Sequence, residues 1–581
     1  MEQEHSASDG TDRGEQTPGP PPREAVMALI DLLNHRRLGE AIVHGERLAS
    51  NFAPSLPLYN MLGSANIEAG RRAEATNWFR KALGLDPNHV ETLYNMGITC
   101  QELGRKTEAI YCFERILRIR PDMSRIRALK LLLQAHICDW SALAQEASAL
   151  GTLGIEGAIV SPFTLLPLED RPDRHRLRSE RYSKELFKQA PLPPPPRPAT
   201  IPKRLRIGYF SAELRNHPVA RLIARVLELH DRSRFEICVY SYGPVVEDET
   251  RTRIVASADR FRDVSQRSEE EIANVARRDG IDIAVDLTGH TSYARTGLFA
   301  CRPAPIQISY LGYPGTSGAS FIDYLIADKL LIPRGHECFY SEAPIYLPHC
   351  YQAQDDTARI AERPSRAMLG LPDDGFVFCG INNSYKITPD LFDVWMRLLR
   401  RMDNSVLWLL KSNPWAEANL REQAEARGVD PRRILFAEWK SYEEYLAQFA
   451  AADLFLDSFH YNAGATASNA LWAGLPLITK PGLGYPTRMA ASLLTAVGLP
   501  ELITSSVSHY EALAIELASD QEKLAAIRGK LEKNRRTTAL FDSALFTRHL
   551  EQAYLLSHRC WIEGLPVAPI DVPDLSESSQ A

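Results

Sequence analysis

Lys386 is the side chain whose neighbours best suit it to meet a phosphate. It follows an apolar, β-rich run at 376–380 and a short polar turn, and Thr388-Pro389 behind it reads as a helix N-cap followed by proline at the first helical position. That order sets an ammonium group and free backbone N–H groups at the carboxyl end of a strand, where anions bind in α/β folds. No Asp-x-Asp triplet of the kind that holds a divalent cation under a diphosphate occurs in the chain. The expected chemistry is therefore metal-free: protein cations and helix N-termini stabilising a departing phosphate oxygen. A surface lysine near a helix start is the plain alternative. His217 follows the run at 205–210, in a loop where Pro218 favours an extended approach. A neutral imidazole near pKa ~6.5 is a weak base toward a serine hydroxyl and suits orienting an acceptor or capping a turn. The loop GYPGTSG at 312–318 combines Gly312, Gly315 and Gly318 with Pro314 and the Thr316 and Ser317 hydroxyls, which suits close backbone approach to a ligand. His290 and Thr291, just past the run at 281–287, either line the same cleft or cap the strand end.

The elements that must position these groups are legible in the hydrophobic pattern. Short β-rich runs at 205–210, 236–242, 281–287 and 306–311 alternate with helical stretches such as 221–230 and 268–278, and a second set runs through 376–380, 405–410, 434–436, 454–456 and 477–479. This alternation predicts two doubly wound parallel sheets with a ligand cleft at the carboxyl ends of the strands. A helical stretch at 510–540 would close the second half. The front of the chain repeats instead. Tyr59, Leu62, Gly63, Ala75, Phe79, Ala82 and Pro87 recur 34 residues later as Leu93, Met96, Gly97, Ala109, Phe113, Ile116 and Pro121. That is the signature of tetratricopeptide helix pairs, in which glycine and alanine permit close crossing. A degenerate unit precedes them, with Glu40 and Ala41 in register, and a further helix follows at 124–135. The groove of such a solenoid would hold a protein partner; a helical prop is the alternative.

Proline and composition mark the joints. The run PLPPPPRP at 191–198 is expected to be a stiff extended spacer. The expected division is a disordered arm at 1–22, repeats at 23–136, a helical connector at 137–190, the proline-rich spacer at 191–203, α/β halves at 204–365 and 366–560, and a disordered tail at 561–581. Nine cysteines without a CxxC pair disfavour a zinc site or disulfide framework, and a net charge of -6 argues against a dedicated nucleic-acid binder. No uninterrupted apolar run of about 18 residues predicts a spanning helix. The first residues lack the basic-then-apolar order of a signal peptide, so the expected location is cytoplasmic, without membrane contact.

Six segments then converge: CDW at 138–140, RIGYFSAELRNHPVARL at 206–222, DLTGHT at 286–291, RPAPIQISYLGYPGTSGASFIDY at 302–324, NNSYKITP at 382–389 and SVLWLL at 405–410. Together they resemble the bacterial O-GlcNAc transferase and SPINDLY-like family. The resemblance covers the chain from about 59 to about 542 in order, and RPAPIQ and GYPGTSG are its most specific parts. It implies an all-α tetratricopeptide solenoid followed by a GT-B region of two Rossmann-like domains. The implied activity is inverting, metal-independent and cofactor-free transfer of a sugar from a nucleotide to Ser or Thr of a protein. The family places Lys386 on the diphosphate and His217 in the active site, and the resemblance assigns Gly312, Pro314, Gly315, Thr316 and Asn383 to donor binding.

The sequence also departs from the family. Where relatives carry His-Thr-Thr and then Asp, it reads YNAGATASNALW at 461–472, so Gly464 and Ala465 replace the His and first Thr, Thr466 is kept, and Asn469 takes the Asp place. Tyr445 and Gln448 fall where the family has its nucleoside-contacting His and Arg, and PGETFASR becomes PGLGYPTR at 481–488. Asn469 still accepts a ribose hydrogen bond, without charge assistance. UDP-GlcNAc is the leading donor by resemblance. A GDP- or CMP-linked sugar, as in flagellin glycosylation, is the variant, and a non-catalytic repeat scaffold is the competing class.

Overall fold

The computed structural model describes residues 18–576. Most of the expected arm at 1–22 and the end of the expected tail lie outside the described residues. The chain divides into two compact units, one up to Lys130 and one from Leu131 onward. The first unit is three helix pairs, α1 (Arg23–Asn34) with α2 (Leu38–Asn51), α3 (Leu56–Glu68) with α4 (Arg72–Leu85), and α5 (Val90–Glu102) with α6 (Lys106–Ile119). The repeated glycines have a steric reason. A β-carbon on Gly63 would stand 2.3 Å from the Phe79 ring, and one on Gly97 would stand 2.5 Å from Phe113, so each phenylalanine fills the space its partner helix leaves open. The unit boundary falls inside α7 (Ser124–His136).

The second unit begins with the end of α7, continues through α8 (Leu143–Leu150) and α9 (Pro172–Leu186), and then holds two parallel sheets. The larger has the order β13-β7-β6-β5-β4-β1-β2-β3. Its strands are β1 (Leu205–Ser211), β2 (Phe235–Ser241), β3 (Arg260–Asp263), β4 (Ile283–Asp286), β5 (Ile306–Ser309), β6 (Tyr324–Ala327), β7 (Ala343–Tyr346) and, far along the chain, β13 (Ile570–Asp571). The smaller sheet has the order β10-β9-β8-β11-β12, built from β8 (Phe376–Gly380), β9 (Ser405–Leu410), β10 (Ile434–Ala437), β11 (Leu454–Leu456) and β12 (Leu477–Ile478). Helices α10 (Pro218–Leu229), α11 (Glu249–Ser257), α12 (Glu269–Asp279) and α13 (Gly297–Ala300) belong to the first half. Helices α14 (Pro389–Arg401), α15 (Pro414–Glu425), α16 (Tyr442–Gln448), α17 (Ala465–Trp472), α18 (Met489–Ala496), α19 (Val507–Ser519) and α20 (Gln521–Asn534) belong to the second. Local signals set several starts: Ser268 and Glu271 form a full capping box at α12. Among the described residues no helix is long and apolar enough to cross a membrane.

Three expectations need correction. The expected end of the second half is α21 (Ser543–Ile562), which returns to the first sheet, where Phe546, Leu550, Ala553 and Tyr554 share a core with β1, β4 and β5. Glu551 on α21 bonds the buried His230 ring at 3.0 Å, and Tyr554 meets Tyr209 at 3.0 Å. The expected disordered tail at 561–581 is ordered as far as it is described, because β13 pairs with β7 through Ile570 and Ile345. The proline-rich spacer is extended but docked: Leu192 N–H donates to Cys301 O at 2.9 Å and its side chain packs on the first half. Sequence order misled in each case, since an amphipathic helix or a short apolar run does not specify which sheet it covers.

Candidate functional site

The carboxyl ends of β8 and β11 bring two buried charges together. Lys386 ends a single 3-10 turn (Ser384–Lys386) after β8; its Nζ donates to Asn462 O at 2.9 Å and lies 4.0 Å from the centre of the Tyr461 ring. Asp457, just past β11, is wholly buried and accepts from Ser458 N–H at 2.8 Å, Ala463 N–H at 2.7 Å and Thr479 Oγ1 at 2.7 Å. Burial lowers the Lys386 pKa, and the Asp457 charge works against that fall. Burial likewise raises Asp457. Thr388 does precede α14 with Pro389 at its first position, yet its hydroxyl makes no capping bond. Instead Thr388 Oγ1, Asn382 Oδ1 and Asn462 Oδ1 are buried side-chain atoms with no hydrogen-bond partner. Polar atoms left so are costly unless a ligand or water meets them.

Beside this cluster lie α16 and the start of α17. Tyr442 donates to Asn469 Oδ1 at 3.0 Å, and the Tyr445 hydroxyl meets Thr466 and Asn469. Gln448 is 1% exposed with neither amide atom bonded. Gly464 precedes α17 and faces Gln352, whose amide donates to Ser468 Oγ at 3.0 Å. Tyr445 and Gln448 of α16 thus lie on a helix packed against Gly464, Ala465, Thr466 and Asn469 at the start of α17. The first half reaches it through Arg221 of α10, whose guanidinium lies 3.9 Å from the Tyr442 ring centre.

In the first half, several of the candidate residues serve as caps or packing. His217 caps α10: its Nδ1 accepts the Val219 N–H at 3.3 Å, and its Nε2 lies 3.7 Å from Glu213 Oε2. With Nδ1 accepting, a neutral ring carries its proton on Nε2. Burial, then Arg215 and Arg221, lower the imidazole to about 4, so the ring is neutral near pH 7 and a poor base. The GYPGTSG loop is consumed largely by internal packing. Thr316 donates to Glu342 at 2.6 Å and accepts from Ser341 N–H at 3.0 Å. A β-carbon on Gly312 would strike Leu287 O at 2.0 Å, and one on Gly318 the Ser179 backbone at 2.1 Å. Pro314 and Gly315 are buried, and Leu311 just before them holds φ 70, a left-handed value that is uncommon for leucine. His290 does not line an open cleft: it is buried against Tyr182, Phe187 and Tyr313 and donates to Ser317 O at 2.7 Å. Thr291 caps the strand end by donating to Thr288 O at 3.0 Å. Asn383 is exposed beside Tyr385, on the turn that carries Lys386.

The segment from His136 to Asp170 braces both the Lys386 turn and the loop at 481–488. Ser384 Oγ donates to His136 O at 2.7 Å, and Phe163 packs on Tyr385 and Tyr461. Asp170 accepts from Leu483 N–H at 2.7 Å and Gly484 N–H at 2.8 Å, which fixes the divergent loop at 481–488. Sequence reasoning missed Asp457, Arg221, Tyr442 and Gln352. The signal for Asp457 was present, an acid closing the apolar run LFLD, whereas the other three become visible only once the halves meet.

The sequence model of glycosyl transferase family 41 matches residues 183–364 and 355–550, and a tetratricopeptide repeat model matches residues 66–133. A probable UDP-N-acetylglucosamine–peptide N-acetylglucosaminyltransferase SEC of Arabidopsis thaliana is 39% identical over 377 residues, covering 62% of this chain and 39% of its own. The Caenorhabditis elegans UDP-N-acetylglucosamine–peptide N-acetylglucosaminyltransferase is 29% identical over 484 residues, covering 63% of this chain and 42% of its own. This chain therefore aligns with only about two fifths of the length of those relatives. Among solved structures, a lysine-to-methionine mutant of the Thermobaculum terrenum O-GlcNAc transferase superposes with a TM-score of 0.70 at 28% identity, over 94% of this chain and 99% of that one.

Proposed function

The chain belongs to glycosyl transferase family 41, and on that premise we propose that it is a cytoplasmic protein O-glycosyltransferase. It transfers a sugar, N-acetylglucosamine from UDP as the leading donor, to Ser or Thr of a protein held by the repeats. The observation that carries the reading is the set of buried, partnerless polar atoms around a buried lysine at the strand ends: Asn382, Thr388 and Asn462 with Lys386. A nucleoside diphosphate presents hydroxyls, ring edges and negative oxygens that satisfy such atoms together. The relatives' names state transfer of N-acetylglucosamine from UDP to peptide.

In the proposed mechanism the acceptor hydroxyl attacks the anomeric carbon from the face opposite the diphosphate, inverting the centre without a metal. Lys386 Nζ leaves its bond to Asn462 O and meets the departing phosphate oxygen, while Asp457 keeps the ammonium charged despite its burial. His217, with Nδ1 committed to Val219, donates from Nε2–H and orients the acceptor, whose proton passes to an oxygen of the departing diphosphate. Replacing Lys386 by Met is expected to lower kcat by about 100-fold, the scale of one lost oxyanion donor, with nucleotide still bound. Unchanged turnover would remove Lys386 from the reaction. A second donor class is favoured by one observation: Gln448, with both amide atoms unbonded, replaces a charged family residue and offers a donor and an acceptor to a base edge. Calorimetric titration with UDP, GDP and CMP separates the two. Tightest binding of GDP or CMP would keep the enzyme and replace the donor, and no binding by a folded protein would favour a non-catalytic scaffold.

A further inference from the structure

Three side chains from distant parts of the chain meet outside the Lys386 cluster. His349 lies just past β7, His549 on α21 and Asp574 just past β13. Asp574 Oδ1 is 3.1 Å from His349 Nε2 and 3.4 Å from His549 Nε2, and one ligand atom from each residue lies within 4.8 Å of the others. Ligands held at about 2.0–2.1 Å in a tetrahedron stand roughly 3.3 Å apart, so the carboxylate already sits at the spacing of a bound set. His549 Nε2 accepts the Leu575 N–H at 2.9 Å and so presents a lone pair, not a proton, beside the carboxylate oxygen. Asp574 Oδ1 in turn accepts the Ser576 N–H at 2.9 Å, so two electron-pair donors converge there, each met by a backbone N–H that a cation would replace.

We propose that His349, His549 and Asp574 form a divalent transition-metal site that fastens the C-terminal segment to α21 and to the edge of the first sheet. Two imidazoles and one carboxylate suit zinc, and disfavour magnesium and calcium, which take oxygen ligands. His349 and Ser576 also line a cavity of about 610 Å³ with Arg535 and Arg548, which gives water access to a fourth position. Entry of the metal displaces the Leu575 N–H from His549, so binding is coupled to the placement of the segment that follows β13.

The test is equilibrium dialysis of the full chain against Zn2+ followed by metal analysis, repeated with His349→Gln and Asp574→Asn, whose side chains are 30% and 44% exposed and can be changed without opening the core. One zinc per chain, weakened at least tenfold by each substitution, with no uptake of Mg2+, is the expected result. Co2+ bound to the native chain should show the strong visible absorption of a four-coordinate site. Stoichiometric zinc that neither substitution weakens, or no stoichiometric zinc at all, overturns the proposal.

Discussion

Substituting alanine at Gly312 and at Gly315 separates packing from ligand approach in the GYPGTSG loop. A β-carbon on Gly312 would lie 2.0 Å from Leu287 O and 2.9 Å from Thr288 Cα, both backbone atoms just past β4. Ordinary carbon–oxygen contacts begin near ~3.3 Å, so the overlap exceeds an ångström and no rotamer relieves it. The loop or the strand end must move, which endangers the ladder bond from Tyr310 N–H to Asp286 O at 2.9 Å. Overpacking against side chains costs about 1–3 kcal/mol; against backbone we expect about 4 kcal/mol or more. At Gly315 the closest atom is Tyr313 Cε1 at 3.0 Å, a ring edge that can yield by a few tenths of an ångström. Gly315→Ala should therefore cost about 1 kcal/mol or less. Urea unfolding followed by tryptophan fluorescence measures both, and nucleotide titration follows on whichever variant folds. Native stability in Gly312→Ala would refute the packing account. A Gly315→Ala protein of native stability that binds nucleotide tenfold more weakly would place the ligand against that glycine.

Asp457→Asn removes the charge that supports the Lys386 ammonium while leaving an oxygen for Ser458 and Ala463 N–H. The lysine pKa should fall further, so the alkaline limb of kcat/KM should move to lower pH; a limb that stays in place would mean that Asp457 does not set the lysine's charge. His290, lowered by burial to about 4, stays neutral in the fold while the unfolded ring protonates below ~6.5. Its contribution is complete above pH ~6.5 and is lost as pH falls to about 4, by about 3 kcal/mol. Denaturation midpoints across that range should fall less steeply in His290→Gln, and an equal slope would show that other groups dominate. In the repeats, Gly97→Ala meets Phe113 and should lower the protection of α5 and α6 against hydrogen exchange by about 1–2 kcal/mol, overpacking outweighing helix propensity. Gly84→Ala in α4 meets nothing within 4 Å and should stabilise by up to about 1 kcal/mol. The same sign at both sites would be fatal to the steric reading.

What the sequence determined by itself is what short-range periodicity can carry. The helix pairs follow because each glycine and its phenylalanine lie within one repeat, as Gly63 with Phe79 and Gly97 with Phe113. The parallel sheets follow because apolar runs separated by helices leave few other connections. Lys386 was legible for the same reason: a strand, a polar turn and a Thr-Pro start are neighbours in the chain. Only the tertiary structure could decide the rest. It set Asp457 beside Lys386, enclosed His290 among three rings, committed His217 Nδ1 to a cap, carried α21 back to the first sheet and added β13 to its edge. These outcomes depend on contacts between segments far apart in sequence, and such contacts leave no period in the chain that makes them. A side chain's charge, tautomer and exposure are fixed by the neighbours that folding supplies, which is why the types of the site residues could be read in advance and their roles could not.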